Sequence, residues 1–437
     1  MTQPLVTYDN NIGNPLRIDN EIQLHDFEKI AGKRISWLCD DTGNGNLLIF
    51  PRELNEYGDG IGDSTIFDIN GNTLLTGNVM GFVGIGDSML KIGSRFDRGR
   101  NDFFMHYMLE RVFSINMFDF QYSYDSQDIF DFILFLFPYY LKNALSQGIY
   151  KEYKTFEKND ANLRGVLDVN RHIRNNIPMT GSIAYKSREH TNDNNITELI
   201  RHTIEYIKTK EFGDAILYHD ELTKAFVSQI VYSTPSYDRN QRQKVVNNCI
   251  RPKIHPYYSE YDPLRQLCLQ ILRHEEIKYG DNKDTVYGIL FDGAWLWEEY
   301  LNTILEQIDI EHPLNKSRKG AIYLFQNNTA ERYPDFYGDN IILDAKYKGY
   351  SGCKVSDIGR EDLAQIISYM YVEKAAHGAV LCPGQTVGRV ESLALRGYNG
   401  TMSLIEMPIS DSLEYDNFSM DMDTNEKWLL ESIGKFL

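Results

Sequence analysis

The residues best suited to chemistry lie between Ala321 and Lys348, AIYLFQNNTAERYPDFYGDNIILDAKYK. Pro334-Asp335 precedes an apolar run, Ile341-Ile342-Leu343, that ends in Asp344-Ala345-Lys346. Side chains alternate along an extended strand, so Asp344 and Lys346 share one face while Ala345 points away. The turn residues Tyr337-Gly338-Asp339-Asn340 predict a hairpin, which sets the carboxylate of Asp335 beside that of Asp344. Two carboxylates and an ammonium then converge. A hard divalent cation such as Mg²⁺ takes oxygen ligands, commonly one or two carboxylates plus a substrate phosphate. Such an ion polarises the phosphate and activates its bound water, and a nearby lysine orients that water or offsets developing negative charge. The set suits metal-assisted phosphodiester hydrolysis. An Asp-x-Lys tripeptide alone is more commonly a solvated strand end or a surface ion pair, so the flanking elements decide its meaning.

Upstream, Gly288 to Leu305 carries apolar residues at helical spacing and contains Trp297-Glu298-Glu299-Tyr300. Downstream, the segment from Asp357 to Ala376 predicts a second helix, with Leu363, Ile366, Ile367 and Met370 on its apolar stripe. Gln365 and Tyr369 stand four positions apart and share one face of that helix. Gly378 to Cys382 is short and apolar, as a central parallel strand should be. The elements that must position the acidic pair and the lysine therefore run helix, hairpin, helix, strand.

This arrangement resembles the PD-(D/E)xK nuclease superfamily, with Pro334-Asp335 as the PD and Asp344-Ala345-Lys346 as the (D/E)xK. The resemblance makes Glu298 the counterpart of a helix glutamate set between aromatics, with Glu299 as an exposed helix charge. It implies Asp335, Asp344 and Glu298 as ligands of Mg²⁺, with Mn²⁺ the alternative ion, and Lys346 as the residue that orients or activates the attacking water. Close to both carboxylates the lysine stays protonated, because nearby opposite charge favours the ionised form. Gln365 and Tyr369 match the Gln-x-x-x-Tyr of one branch, where the pair holds DNA backbone or orients the lysine; buried polar packing is the other reading of that pair.

The 437 residues suffice for two or three domains with sizeable cores. Hydrophobic residues at 42% and charged ones at 24% are ordinary globular values. The amino terminus lacks a basic region followed by an apolar core, and the most apolar run, Phe132 to Phe137, is far too short to span a bilayer and is stopped by Pro138. The expectation is a soluble cytoplasmic protein. Five cysteines without C-x-x-C spacing fit reduced thiols and make a zinc site unexpected. A formal charge of −17, from 45 basic against 62 acidic residues, is awkward for a chain that sits on DNA. Either basic residues cluster locally or another subunit supplies much of the DNA affinity. Lys316, Arg318 and Lys319 before the hairpin, and Lys348 after it, are candidate DNA contacts. Arg239, Arg242, Lys244, Arg251 and Lys253 form a second basic stretch, for which a solvated loop is the commoner explanation.

Residues 1–100 read as β-rich, with Arg34–Cys39 and Asn46–Phe50 flanking a turn, and further short strands near Thr73–Leu75, Val79–Val83 and Met89–Ile92. No phosphate-cradling G-x-x-x-x-G-K-[ST] motif occurs, so the chain carries no nucleotide-hydrolysing motor of that type. Residues 101–280 turn helical, with His106 expected as a packing residue and Arg171, His172 and Arg174 as either phosphate contacts or charge on a structural turn. The final helix, Asn425–Leu437, is amphipathic. The fold class expected is α+β multidomain: a β-rich amino-terminal domain over 1–100, a helical middle region over 101–280, and a carboxy-terminal α/β domain of the PD-(D/E)xK restriction-endonuclease type over 281–437.

As a whole the layout resembles the McrC family, the nuclease subunit of McrBC-type modification-dependent restriction systems. The resemblance rests on the β-rich start, the Phe103-to-Leu109 helix, the Leu163–Arg171 segment and the Pro-Asp…Asp-Ala-Lys motif. It implies that the subunit docks through its amino-terminal part onto a hexameric AAA+ GTPase of the McrB type, which recognises modified DNA and translocates, and that the subunit stimulates that GTPase; this chain does not name the modification, 5-methylcytosine or another, that the partner reads. That division of labour accounts for the acidic balance and the missing P-loop together. A stand-alone nuclease of the same superfamily, and a regulatory adaptor with a dormant nuclease fold, remain the alternatives.

Overall fold

The computed structural model describes residues 3–39, 45–51, 61–86, 88–97, 102–113, 131–210, 212–250, 254–279, 286–313, 320–350, 352–397 and 399–437. The chain is a mixed α/β protein of two compact units, one formed by residues 1–129 together with 282–437, the other by 130–281. The first unit thus draws on both ends of the chain. Of the three expected segments, the first and last fall within it, and the middle one contributes mostly to the second unit.

The first unit holds two five-stranded sheets. One runs Leu5–Tyr8, Ser88–Gly93, Val79–Ile85, Val286–Asp292, Gly45–Phe50. Val286–Asp292 is inserted between two amino-terminal strands, antiparallel to Val79–Ile85 and parallel to Gly45–Phe50. All seven of its residues are buried, so the apolar run before Glu298 is a central strand rather than the start of the helix. Asp292 ends the strand and caps the next helix, Gly293–Leu305, by accepting from the N–H of Ala294. Ile18, Phe27, Ile30, Leu74, Val83, Leu90 and Leu290 share the core of this region.

One amino-terminal expectation is corrected. Arg34–Cys39 is not a strand: Ile35–Cys39 is one turn of helix that buries Ile35 and Leu38 and leaves Trp37 half exposed. Ile35 and Leu38 stand three apart, a helical spacing. The strands expected near Thr73, Val79 and Met89 are present, at Thr73–Thr76, Val79–Ile85 and Ser88–Gly93.

The second sheet runs Phe336–Gly338, Ile341–Ala345, His377–Pro383, Thr401–Met407, Arg389–Ala394. Its inner strands are parallel and its two edge strands antiparallel. The helix Arg360–Glu373 lays Ile366, Tyr369 and Met370 on Ile342, Val380, Cys382 and Leu404. The carboxy-terminal helix, Tyr415–Ile433, begins ten residues before the expected start. Its Glu426 is buried and accepts from Tyr107 and Tyr300 hydroxyls, each at 2.9 Å, and from the Arg111 guanidinium. That carboxylate ties three helices of the unit together.

The second unit packs helices Phe137–Ser146, Asn195–Ile207, Glu221–Ser233 and Tyr261–Tyr279 beside a three-stranded sheet of Glu152–Asp160, Ile183–Thr191 and Val166–Leu167. Arg171 donates to the backbone carbonyls of Lys158 and Tyr185 and pairs with Glu157, which assigns it to the fold of this unit.

Candidate functional site

The hairpin forms as its turn residues demand. Phe336 pairs with Leu343 and Gly338 with Ile341, and continuing that register sets Asp335 opposite Asp344. Asp335 Oδ2 accepts from the N–H of Ala345 at 2.8 Å. Asp344 shares its strand face with Ile342, which packs on the Arg360–Glu373 helix. Lys346 Nζ lies 2.6 Å from Asp344 Oδ2, and its own N–H donates to the carbonyl of Leu381 at 2.9 Å on the neighbouring strand.

Burial and like charge dominate the electrostatics. Enclosure of the Asp335 carboxyl raises its pKa, and Glu298 raises it further, against the pull of Lys346, the Ala345 N–H and His312. Burial also raises Asp344, with Asp335 adding to it and Lys346 opposing it. For Lys346 burial works against the charge, but the Asp344 and Asp335 carboxylates outweigh it and hold the ammonium above its ordinary range. The expectation of a protonated lysine agrees with this balance. Glu298 is 9% exposed and close enough to act on Asp335, whereas Glu299 accepts from the Trp295 indole at 3.1 Å.

A histidine that the sequence reasoning did not single out joins the group. His312 Nδ1 sits 2.7 Å from the Asp335 carbonyl oxygen, and its Nε2 lies 3.9 Å from both Glu298 and Glu299. Burial would lower its pKa, yet Glu299, the Asp335 carbonyl and Glu298 lift it to about 9. The bridge between Glu311 and Tyr337 carries it there. The His312-Pro313 pair offers no spacing signal for that role.

Gln365 Nε2 donates to Tyr369 Oη at 2.5 Å, so the pair shares a helix face as expected. Tyr369 is raised chiefly by burial, with Asp344 and Asp335 among the further causes, which puts the phenol near the carboxylates. Lys348 is engaged by Asp362 and lies over the Tyr350 ring. Lys316, Arg318 and Lys319 lie outside the described residues, as do Arg251 and Lys253. Arg242 donates to the Leu272 carbonyl at 2.6 Å.

The donor chemistry fits a hard cation: carboxylate oxygens that burial and mutual repulsion disfavour as bare anions. Asp344 Oδ2 is buried and, among the described residues, receives no hydrogen bond in addition to its ion pair with Lys346. Among the described residues no three His, Cys, Asp or Glu side chains stand together in a ready ligand cage. Asp335 spends one oxygen on the Ala345 N–H, and Lys346 stands against Asp344.

The fold and this group define a mixed α/β protein with a buried acidic pair and a lysine at the end of a hairpin strand. Residues 74–382 match the family described as McrBC 5-methylcytosine restriction system component, and the chain belongs to that family. Among solved structures it is similar to a chain of the refined half-complex from the tetradecameric assembly of Thermococcus gammatolerans McrB AAA+ hexamers with bound McrC. There the identity is 15%, the TM-score 0.51, and the match covers 97% of this chain and 100% of that one, a likeness of fold. A chain of the cryo-EM structure of the T. gammatolerans McrBC complex matches over 70% of this chain and 88% of that one, at 14% identity and a TM-score of 0.32. No curated protein matches. Among the described residues no helix is long and apolar enough to cross a membrane.

Proposed function

We propose that this chain is the nuclease subunit of a McrBC-like restriction system, a PD-(D/E)xK endonuclease that hydrolyses DNA phosphodiester bonds when assembled with an AAA+ GTPase of the McrB type. The observation that carries the proposal is the convergence of Asp335, Asp344 and Lys346 on one hairpin, with Glu298 acting on Asp335. Membership of the family and the fold likeness to a chain from McrB hexamers with bound McrC support the partner.

In this reading Asp335, Asp344 and Glu298 would hold Mg²⁺, or Mn²⁺ in its place, once drawn together around it. The ion supplies Lewis acidity toward the scissile phosphate and acidifies water. Lys346, kept charged by the two aspartates, orients the attacking water and offsets charge on the phosphate. Tyr369 is buried and takes the hydrogen bond of Gln365, so the pair supports the site by polar packing from within rather than by touching DNA. Residues 1–100 dock the partner, and the subunit stimulates its GTPase.

Plasmid cleavage in Mg²⁺ tests this, with the chain alone and then with the AAA+ protein and GTP, on methylated and unmethylated DNA. Cutting that requires the motor supports the proposal. Efficient cutting by the chain alone makes it a self-sufficient nuclease, and no cutting under any condition favours an adaptor.

A further inference from the structure

The segment that follows Lys346 is gripped from the amino-terminal sheet. Tyr347 is buried, and its hydroxyl shares a hydrogen bond with Ser94 Oγ at 2.6 Å. Its ring meets Phe96 edge-on at 5.0 Å between centroids, and the Arg95 guanidinium carbon lies 4.8 Å from the same ring. Arg95 Nη2 also donates to the Tyr347 carbonyl oxygen, and Nη1 donates to Asn78 Oδ1 at 3.2 Å. Behind the arginine, buried Asp9 accepts from its backbone N–H at 2.7 Å and lies 3.5 Å from Nε. Asn78 in turn accepts, through its carbonyl, the N–H of Gly293, the first residue of the helix that carries Glu298.

We propose that Arg95 is a positioning residue for Lys346: its guanidinium fixes the Tyr347 peptide from one side while the Leu381 carbonyl fixes the Lys346 N–H from the other. The role belongs to a planar fork, which reaches an amide oxygen, a backbone carbonyl and a ring face at once; an ammonium is a single point. Gly293 is the complementary half of the fit. A Cβ there would lie 2.8 Å from Tyr347 Cε1, so only glycine lets the ring seat against the helix start. The Ser94–Phe96 turn, Tyr347 and Gly293 therefore move as one block, and that block spaces Lys346 from Glu298.

The consequence for cleavage rests on the nuclease reading above; the consequence for local order does not, and the test separates the two. The full chain is compared as wild type, Arg95→Lys and Arg95→Ala, by amide hydrogen exchange over residues 344–350 and by cleavage kinetics with the AAA+ partner and GTP. Arg95→Ala should lose protection in that peptide alone, keep the wild-type melting temperature to within a few degrees, and lower kcat about 10- to 100-fold with KM unchanged, as expected for a misplaced group. Guanidinium at low millimolar concentration should restore part of that loss, and Arg95→Lys should restore little.

Unchanged exchange at 344–350 in both variants would overturn the proposal, as would protection lost across the whole unit with no rescue, which is the signature of a merely structural residue. If the wild type cuts nothing, the nuclease reading fails while the exchange experiment still decides whether Arg95 orders the segment.

Discussion

Asp335 Oδ2 accepts a hydrogen bond from the N–H of Ala345, the residue that separates Asp344 from Lys346. The bond joins the two halves of the motif through the backbone, so the acidic residue on one strand fixes the register of the strand bearing the other two.

From that bond follows a split between variants of the two aspartates. Asp344→Asn should abolish cleavage, by at least about 100-fold, yet leave thermal stability equal or higher, because it removes a charge that burial and Asp335 already disfavour. Asp335→Ala should lose cleavage equally and also lower stability, by about 1–2 kcal/mol, through the hydrogen bond to Ala345. Plasmid nicking and thermal melts of the two variants check this; equal melting behaviour would contradict it.

The adjacent glutamates should differ in function. Glu298 lies beside Asp335, whereas Glu299 is bonded to the Trp295 indole. Glu298→Gln should reduce cleavage by at least about 100-fold and Glu299→Gln by no more than about threefold. The ratio of the two rates in one assay is the measurement.

Stability should fall with alkaline pH because of His312. Its folded pKa is raised from 6.5 to about 9, so its contribution is fully present below 6.5 and is lost as pH rises through about 9. At about 1.4 kcal/mol per unit the loss is at most about 3 kcal/mol. Denaturant midpoints of wild type and His312→Gln between pH 6 and 10 should converge at the alkaline end; parallel curves would refute the assignment.

His202, in the second unit, works in the opposite direction. Burial and Arg242 lower its pKa from 6.5 to about 4, so the unfolded chain takes up the proton first and stability is lost as pH falls from 6.5 through about 4. A His202→Gln variant should show a flatter acid limb in its melting curve, the size of the difference being about 3 kcal/mol at most.

Glu426 receives Tyr107, Tyr300 and Arg111, and its removal leaves the buried Tyr300 hydroxyl without its acceptor, while Tyr107 and the partly exposed Arg111 keep Asp423. Glu426→Ala should cost about 1–3 kcal/mol, chiefly through the orphaned Tyr300 hydroxyl, read from chemical denaturation of the full chain.

Much of the candidate site was legible because its signals are local. Ile341 to Leu343 is an uninterrupted apolar run beside a turn, and such runs form strands wherever they can be covered. Gln365 and Tyr369 needed only helical spacing, and the shared face follows from geometry. What escaped was non-local. The insertion of Val286–Asp292 between amino-terminal strands is decided by which edges remain to be covered, and nothing within those seven residues names their neighbours. His312 reaches the acidic pair through a single bridge to Tyr337. Ile35–Cys39 is too short to display a period, so alternation and helix spacing look alike there. Arg95 lies more than two hundred residues from the peptide it holds.

The placement of Val286–Asp292 also sets the order in which the protein is assembled during its synthesis. Until that strand has emerged from the ribosome, Val79–Ile85 and Gly45–Phe50 lack the partner that joins them. The nascent amino-terminal sheet lacks this strand through translation of the whole second unit, residues 130–281. A truncated product ending anywhere before residue 286 therefore carries neither this central strand nor Glu298, Asp335, Asp344 and Lys346, so the whole candidate site is missing with it.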